Sequence, residues 1–246
     1  MEERLRGAIV RAVESAGAHA MNNGSKKPLE DTEKRARDIM LREIRDADPM
    51  LGRWGDGIER ERALAVCPLD GVMNYSRRFG PFSVMAAYLE AGKPVFGALF
   101  LPLSGELITA EAGKGARLGG RRLGVGRRNE LRVSITCAAC DCYLYDMGQT
   151  GPMALDIITK LSLGGIPWRN SGSSGYDFAA LALGRADAVA APVQGAHAAG
   201  YLIMEEAGAV LSDADGKQHS LSSEMVIAAN PGLHPILLEF LQDPTR

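Results

Sequence analysis

Four cysteines occur in the 246-residue chain, and three of them crowd together as Cys137, Cys140 and Cys142 in a C-x2-C-x-C run. Three thiolates at that spacing could begin a zinc or iron–sulfur site, with Cys67 as a distant fourth ligand. A structural zinc site ordinarily shows two paired knuckles, and here there is one cluster. The favoured reading is therefore reduced, buried thiols in a strand. Cys67 itself opens the run Cys67-Pro68-Leu69-Asp70-Gly71-Val72-Met73. A turn or helix start there would present the N–H groups of Gly71, Val72 and Met73, an arrangement that holds a phosphate without a metal. Lys26, Lys27, Arg77 and Arg78 could add positive charge around it. A thiolate at such a turn would be a nucleophile, but Asp70 three residues on raises its pKa and works against that. Cys67 with His197 would make a donor pair for Zn²⁺, a minor reading. His19, His219 and His234 show no chemical pattern.

The whole-chain charge is nearly balanced, 28 Lys and Arg against 30 Asp and Glu, for a net of −2. That excludes a generally basic nucleic-acid coat and an acidic tail, although it leaves room for a local patch. Nucleic acid is not an expected partner. Apolar residues make up 46% of the chain, ample for a sizeable core. The longest apolar run, residues 94–103, falls well short of the ~18 residues of a membrane helix. The start Met1-Glu2-Glu3-Arg4 has no signal-peptide core. A soluble, cytoplasmic protein without a membrane partner is expected.

The elements that must position these groups follow from periodicity. Leu5, Ala8, Ile9, Ala12, Val13 and Ala16 recur at three and four, which predicts a helix over 4–21. A second is expected over 31–47, with Thr32 as its cap and Ala36, Ile39, Met40 and Ile44 on one face. Strands are expected at 63–67, 82–90, 95–101, 106–110 and 116–118, the second and third joined by a turn at 91–94. Residues 124–130, with Gly124, Gly126, Arg127 and Arg128, read as the seam between an α+β half, 1–130, and an α/β half, 131–246, of one compact fold. Beyond it, strands near 131–137, 141–145, 187–191, 209–213 and 225–229 alternate with helices near 151–163, 175–184, 197–207 and 233–242. This order predicts an α/β protein of layered sheets and helices. Trp54 and Trp168 are expected to pack at the core or rim.

Several segments, taken together, resemble the inositol monophosphatase family of metal-dependent sugar and inositol phosphatases. Pro68-Leu69-Asp70-Gly71-Val72-Met73-Asn74-Tyr75 is similar to the family's D-P-[IL]-D-G-T-x-N-[FY]. In family order follow Phe79-Gly80-Pro81-Phe82-Ser83, Gly113-Lys114-Gly115-Ala116, Asn170-Ser171-Gly172-Ser173-Ser174 and Glu206-Ala207-Gly208. The resemblance implies an α/β fold, the layered αβαβα sandwich of the inositol monophosphatase and fructose bisphosphatase type, commonly as a homodimer. It also implies Mg²⁺ ions held among carboxylates, which neutralise a phosphate ester and activate a water for in-line attack.

At the chemical positions the resemblance breaks. Where the family motif opens with a metal-binding Asp, this chain has Cys67, a soft ligand poorly matched to Mg²⁺. The motif's second Asp survives as Asp70, and its water-orienting Thr is Val72. The family's metal-binding Glu falls at Gly57, with Asp56 one position away, and its water-activating Asp falls at Glu33. The metal-binding Asp of the family's W-D-x-A-A-G is Ala196, beside His197. Asp70 and Glu33 are thus the candidate catalytic residues, Asp70 and Asp56 the remaining metal candidates, and Gly71, Val72 and Met73 the candidate phosphate holders. The resulting expectation is a family member with a degenerate metal site and little or no phosphatase activity. It would bind a small phosphorylated ligand, with Mg²⁺ its cofactor if it has one. The alternative is a working phosphomonoesterase with a rearranged site built from Asp70, Glu33 and Asp56.

Overall fold

The computed structural model describes residues 1–23, 29–54, 61–138 and 150–243. Two long helices open the chain, α1 (Glu3–Asn23) and α2 (Leu29–Arg45). Their apolar stripes, Leu5, Ile9, Val13 and Ala16 on one and Ala36, Met40 and Ile44 on the other, bury against each other and against one face of a sheet. Thr32, expected to cap α2, is instead inside its first turn and buried. Glu30 and Asp31 supply the favourable negative charge there.

That sheet has seven strands in chain order: β1 (Gly52–Arg53), β2 (Arg62–Asp70), β3 (Ser83–Glu90), β4 (Lys93–Leu101), β5 (Glu106–Glu111), β6 (Gly115–Leu118) and β7 (Arg121–Arg122). Only the β1–β2 pair is parallel; the rest is a meander. The β3–β4 connection is tighter than the sequence implied. Ala91 and Gly92 both have positive φ, 46° and 75°, as a two-residue hairpin demands. β2 runs past Cys67 to Asp70, with its register to β3 shifting between those residues. Pro68 lies inside the shift and has no N–H for the ladder. The short helix α3 (Val72–Arg77) follows at once.

Leu123 to Glu130 then runs without regular structure to a second sheet. Residues 131–133 form a 3-10 turn rather than the expected strand, because Ser134 donates its hydroxyl to the Glu130 carbonyl and its N–H to Leu131. Only β8 (Thr136–Ala138) is extended. The expected strand at 141–145 lies outside the described residues. Five strands, with α4 (Thr150–Leu163), α5 (Ser174–Ala182), α6 (Ala198–Glu206) and α7 (His234–Gln242), complete the chain. β9 (Trp168–Arg169) and β8 run parallel to β10 (Ala188–Pro192); β12 (Met225–Ala229) and β11 (Val210–Ser212) add antiparallel edges, in the order β11-β12-β10-β8-β9.

The layers are those expected. α1 and α2 cover the outer face of the first sheet. α5 and α6 fill the space between the sheets with Phe178, Leu181, Leu202 and Ile203. α4 and α7 cover the far face of the second sheet through Leu161, Leu233 and Leu237. Trp168 packs partly against that third layer, its indole N–H on Ser162. Among the described residues no helix is long and apolar enough to cross a membrane.

Candidate functional site

The end of β2, the start of α3, the approach to α5 and the turn before α6 meet around one cleft of about 460 Å³. Cys67, Asp70, Gly71, Val72 and Met73 line it from one half of the chain, and Asn170, Ser171, Gly172, Gln194 and His197 from the other. Gly71 turns the chain with φ 81°, and a Cβ there would meet the Pro81 carbonyl at 2.9 Å and Ser173 at 3.0 Å. Only glycine fits that conformation in that space. No side chain caps α3, and Gly71, Val72 and Met73, which open this helix, line the cleft. Asn74, 8% exposed, donates to the Pro81 carbonyl at 2.8 Å and the Ser171 carbonyl at 2.7 Å, which ties the two halves of the rim together.

Asp70 is the centre of the polar wall. One carboxylate oxygen, Oδ2, accepts from the Ser83 hydroxyl at 3.0 Å, the Ser173 hydroxyl at 2.5 Å and the Gly175 N–H at 2.9 Å. The Gly175 N–H belongs to the first turn of α5, so the carboxylate also faces the positive end of that helix. Gly175 must be glycine, since a Cβ would stand 2.1 Å from the Ser83 hydroxyl. The other oxygen, Oδ1, is 3.7 Å from His197 Nε2.

The wall formed by the residues beside Asp70 is chemically quiet. Cys67 is buried, and burial together with the charges of Asp70 and Glu33 pushes its thiol well above the usual range, so it stays protonated. His197 is 2% exposed and burial pushes its pKa down, with Asp70 opposing. Its Nδ1 has no partner. The ring stands edge-on to Phe178 at 5.7 Å; Phe178 meets Tyr201 at 5.3 Å and Tyr201 meets His219 at 4.7 Å. The Tyr201 hydroxyl accepts from the Gln194 N–H at 3.0 Å, holding the turn that carries Ala196. Ala196 packs against the core.

The remaining candidates are placed apart. Glu33 on α2 gives its carboxylate to Arg37 at 2.8 Å, and it acts on Cys67 through its charge rather than by lining the cleft. Arg77 and Arg78 are exposed; Arg78 borders a separate cleft with Tyr75 and Phe79. Trp54 packs over Gly195, where a Cβ would meet its Nε1 at 2.5 Å. Cys137 is a buried thiol near Asp177, raised by burial first. Asp56, Gly57, Lys26, Lys27, Cys140 and Cys142 lie outside the described residues. The partners of Asp70 carried no chemical signal in the sequence; Ser83 and Ser173 occur there as hydroxyls inside otherwise apolar or glycine-rich runs.

The sequence pattern of the inositol monophosphatase family matches residues 4–244. The chain belongs to that family. Among relatives, an inositol-1-monophosphatase of Mesorhizobium japonicum is 30% identical over 225 residues, covering 88% of this chain and 83% of the relative. A protein named Nus factor SuhB of Escherichia coli K12 is 27% identical over 234 residues, covering 91% of this chain and 86% of the other. The extragenic suppressor protein suhB from Bartonella henselae superposes with a TM-score of 0.86 at 25% identity, over 99% of this chain and 100% of that one. Inositol monophosphatase from Anabaena does so with a TM-score of 0.84 at 25% identity, over 96% and 93%. The family match spans both halves of the cleft, from Cys67, Asp70 and Gly71 to Ser171 and His197.

Proposed function

We propose that this family member binds a small phosphorylated molecule in the cleft and has little or no Mg²⁺-dependent phosphatase activity. The observation that carries the reading is the state of Asp70. A carboxylate has about four lone-pair sites. Three donors converge on Oδ2, and His197 faces Oδ1. Mg²⁺ demands several hard oxygens in near-octahedral array. Among the described residues the surrounding set is a protonated thiol at Cys67, a valine at Val72 and an alanine at Ala196, which does not fit that ion.

What remains is anion binding. The N–H groups of Gly71, Val72 and Met73, at the uncapped helix start that lines the cleft, would take the phosphate oxygens. The protein is read as a cytoplasmic homodimer, with a phosphorylated metabolite as ligand and Cys67 and Cys137 as reduced thiols. Titration calorimetry with millimolar MgCl2, with and without inorganic phosphate, tests the reading, beside an assay for phosphate release from inositol 1-phosphate. The expected results are no heat of Mg²⁺ binding, no release, and a raised melting temperature with phosphate alone. Submillimolar Mg²⁺ affinity with metal-dependent release would overturn the proposal and favour the rearranged phosphomonoesterase using Asp70, Glu33 and Asp56.

A further inference from the structure

The candidate cleft absorbs none of the cations that gather on the far edge of the first sheet. Between residues 114 and 132 the chain carries Lys114, Arg117, Arg121 and Arg122, then Arg127, Arg128 and Arg132, against Glu130 as the one acid. The segment therefore carries six net positive charges, seven cations less one acid, within a chain whose net charge is −2. All seven cations are exposed.

They border an edge strip with side chains on both faces: Arg117 and Arg122 share one face of the β6–β7 ribbon and Arg121 takes the other. β6 and β7 form a short ribbon at the open edge of the seven-stranded sheet, and Arg117 stands directly across from Arg122. Like charges in that register repel. The ribbon nonetheless holds both in place. Arg117 donates to the Gly120 carbonyl at 2.9 Å, and Arg122 lies across Gly115, where a Cβ would meet its guanidinium at 2.9 Å. Neighbouring acids offset part of this charge, Glu111 pairing with Lys114 and Asp187 with Arg128, and leave Arg117, Arg121, Arg122, Arg127 and Arg132 as the main contributors. Glu111 on the same face is met by Lys114 and by Arg6 from α1, and Glu206 accepts the Gly113 and Gly115 N–H groups at 2.6 Å each. Asp187 is 3.6 Å from Arg128 and accepts the Ile135 N–H. From β7 the backbone runs on through Leu123–Glu130 without regular structure, lengthening the positive line past the end of α6, where Val125 donates to the Ala207 carbonyl.

We propose that this strip is a binding surface for the phosphate backbone of a single-stranded nucleic acid. Six of the seven cations are arginines, whose planar forks bind phosphate in two points. Glycines at 115, 119, 120, 124 and 126 let a backbone approach closely. The strip is a line rather than a pocket, which fits an elongated chain of anions. Residues 113–133 contain no aromatic side chain, so bases have nothing to stack on. The binding is accordingly independent of base sequence and steep in salt.

The experiment is fluorescence anisotropy of the full chain with a labelled mixed-sequence RNA of about 20 nucleotides, titrated at several KCl concentrations. The expected result is saturable binding at low salt that weakens as salt rises, with a log–log slope of about −0.7 per phosphate neutralised. Arg122→Glu should lower affinity about tenfold and flatten the slope by two contacts' worth, because it removes one cation and adds an anion. The same substitution pairs an acid with Arg117 across the ribbon, so its melting temperature should hold or rise. Loss of binding thus cannot be assigned to unfolding. Arg127→Glu should act in the same direction without the gain in stability. Absence of binding at low salt overturns the proposal, as does affinity unmoved by both variants. Equal competition by poly-glutamate would overturn it in favour of an acidic protein segment. None of these outcomes touches the cleft, so this surface and the proposed function fail separately.

Discussion

The two walls of the cleft have been treated differently by the sequence. The Asp70 wall is a closed hydrogen-bond lattice: a carboxylate with three donors, Asn74 with two carbonyls, and glycines where no other residue fits. The wall of Cys67, Val72, Ala196 and His197 offers a protonated thiol, two side chains without polar atoms, and an imidazole with an unpartnered nitrogen. The first wall joins residues about a hundred positions apart and so holds the halves of the fold together. The second packs into the core but carries no such hydrogen-bond lattice. An acid kept at Asp70 is therefore no evidence of retained chemistry; its structural role is sufficient reason for it to be there.

The largest effect expected from that contrast is at Asp70. Asp70→Ala strands the Ser83 and Ser173 hydroxyls and the Gly175 N–H in a buried site, at about 3–5 kcal/mol. In a chain of this size that lowers the melting temperature by about 8–15 °C. Cys67→Ala, on the other wall, removes a small buried hydrophobe and should cost only about 1 kcal/mol. Thermal unfolding of the two variants side by side checks the ordering. If Cys67→Ala proved the more damaging, the division of the cleft into a structural and a quiet wall would be wrong.

Much of this was legible beforehand, for reasons that differ by level. Helix stripes such as Leu5-Ile9-Ala12-Val13 declare themselves by period, and a strand such as 83–90, buried on both faces, by its near-continuous apolar run, so the layers were readable. The motif around Asp70 and Gly71 located the cleft. Its wiring was not readable. Ser83 lies 13 positions from Asp70 and Ser173 lies 103, and no periodicity connects a carboxylate to hydroxyls at such separations. Thr32 misled because a threonine near a helix start has the cap's chemistry, while the helix began three residues earlier. Residues 131–135 misled because Ser134 offered the backbone a local turn in place of a ladder.

A middling effect comes from the aromatic stack behind the quiet wall. Burial lowers His219 to about 4, and it also lowers His197 and His234. Each is neutral when folded and binds a proton more readily once unfolded, near its ordinary pKa of about 6.5. The unfolded state then carries more protons below that value, so stability rises with pH between about 4 and 6.5 and is lost as pH falls through that window. The melting temperature should drop by several degrees from pH 7 to pH 5, with little change from pH 7 to pH 8. His219→Gln should shallow the slope. His219 keeps some solvent contact, which screens its share to about 1 kcal/mol. A slope unchanged by His219→Gln would place the proton uptake on the other two histidines, His197 behind the wall and His234 beyond it.

The smallest effect is expected at Glu33, and its smallness is the point. Its carboxylate is ion-paired with Arg37 one helical turn along α2, both side chains more than a third exposed. Such a pair contributes about 0.3–0.5 kcal/mol. Glu33→Gln should therefore shift the melting temperature by about 1 °C, and it should leave phosphate binding in the cleft unchanged, because the anion is held by N–H groups across the site. It should also ease the Cys67 thiol downward, since Glu33 is among the charges that hold it up. Thiol alkylation rate against pH reads that directly. A measurable loss of ligand binding in Glu33→Gln would mean that α2 supplies an acid to the cleft after all. The quiet wall would then have a chemical partner outside the lattice that Asp70 organises.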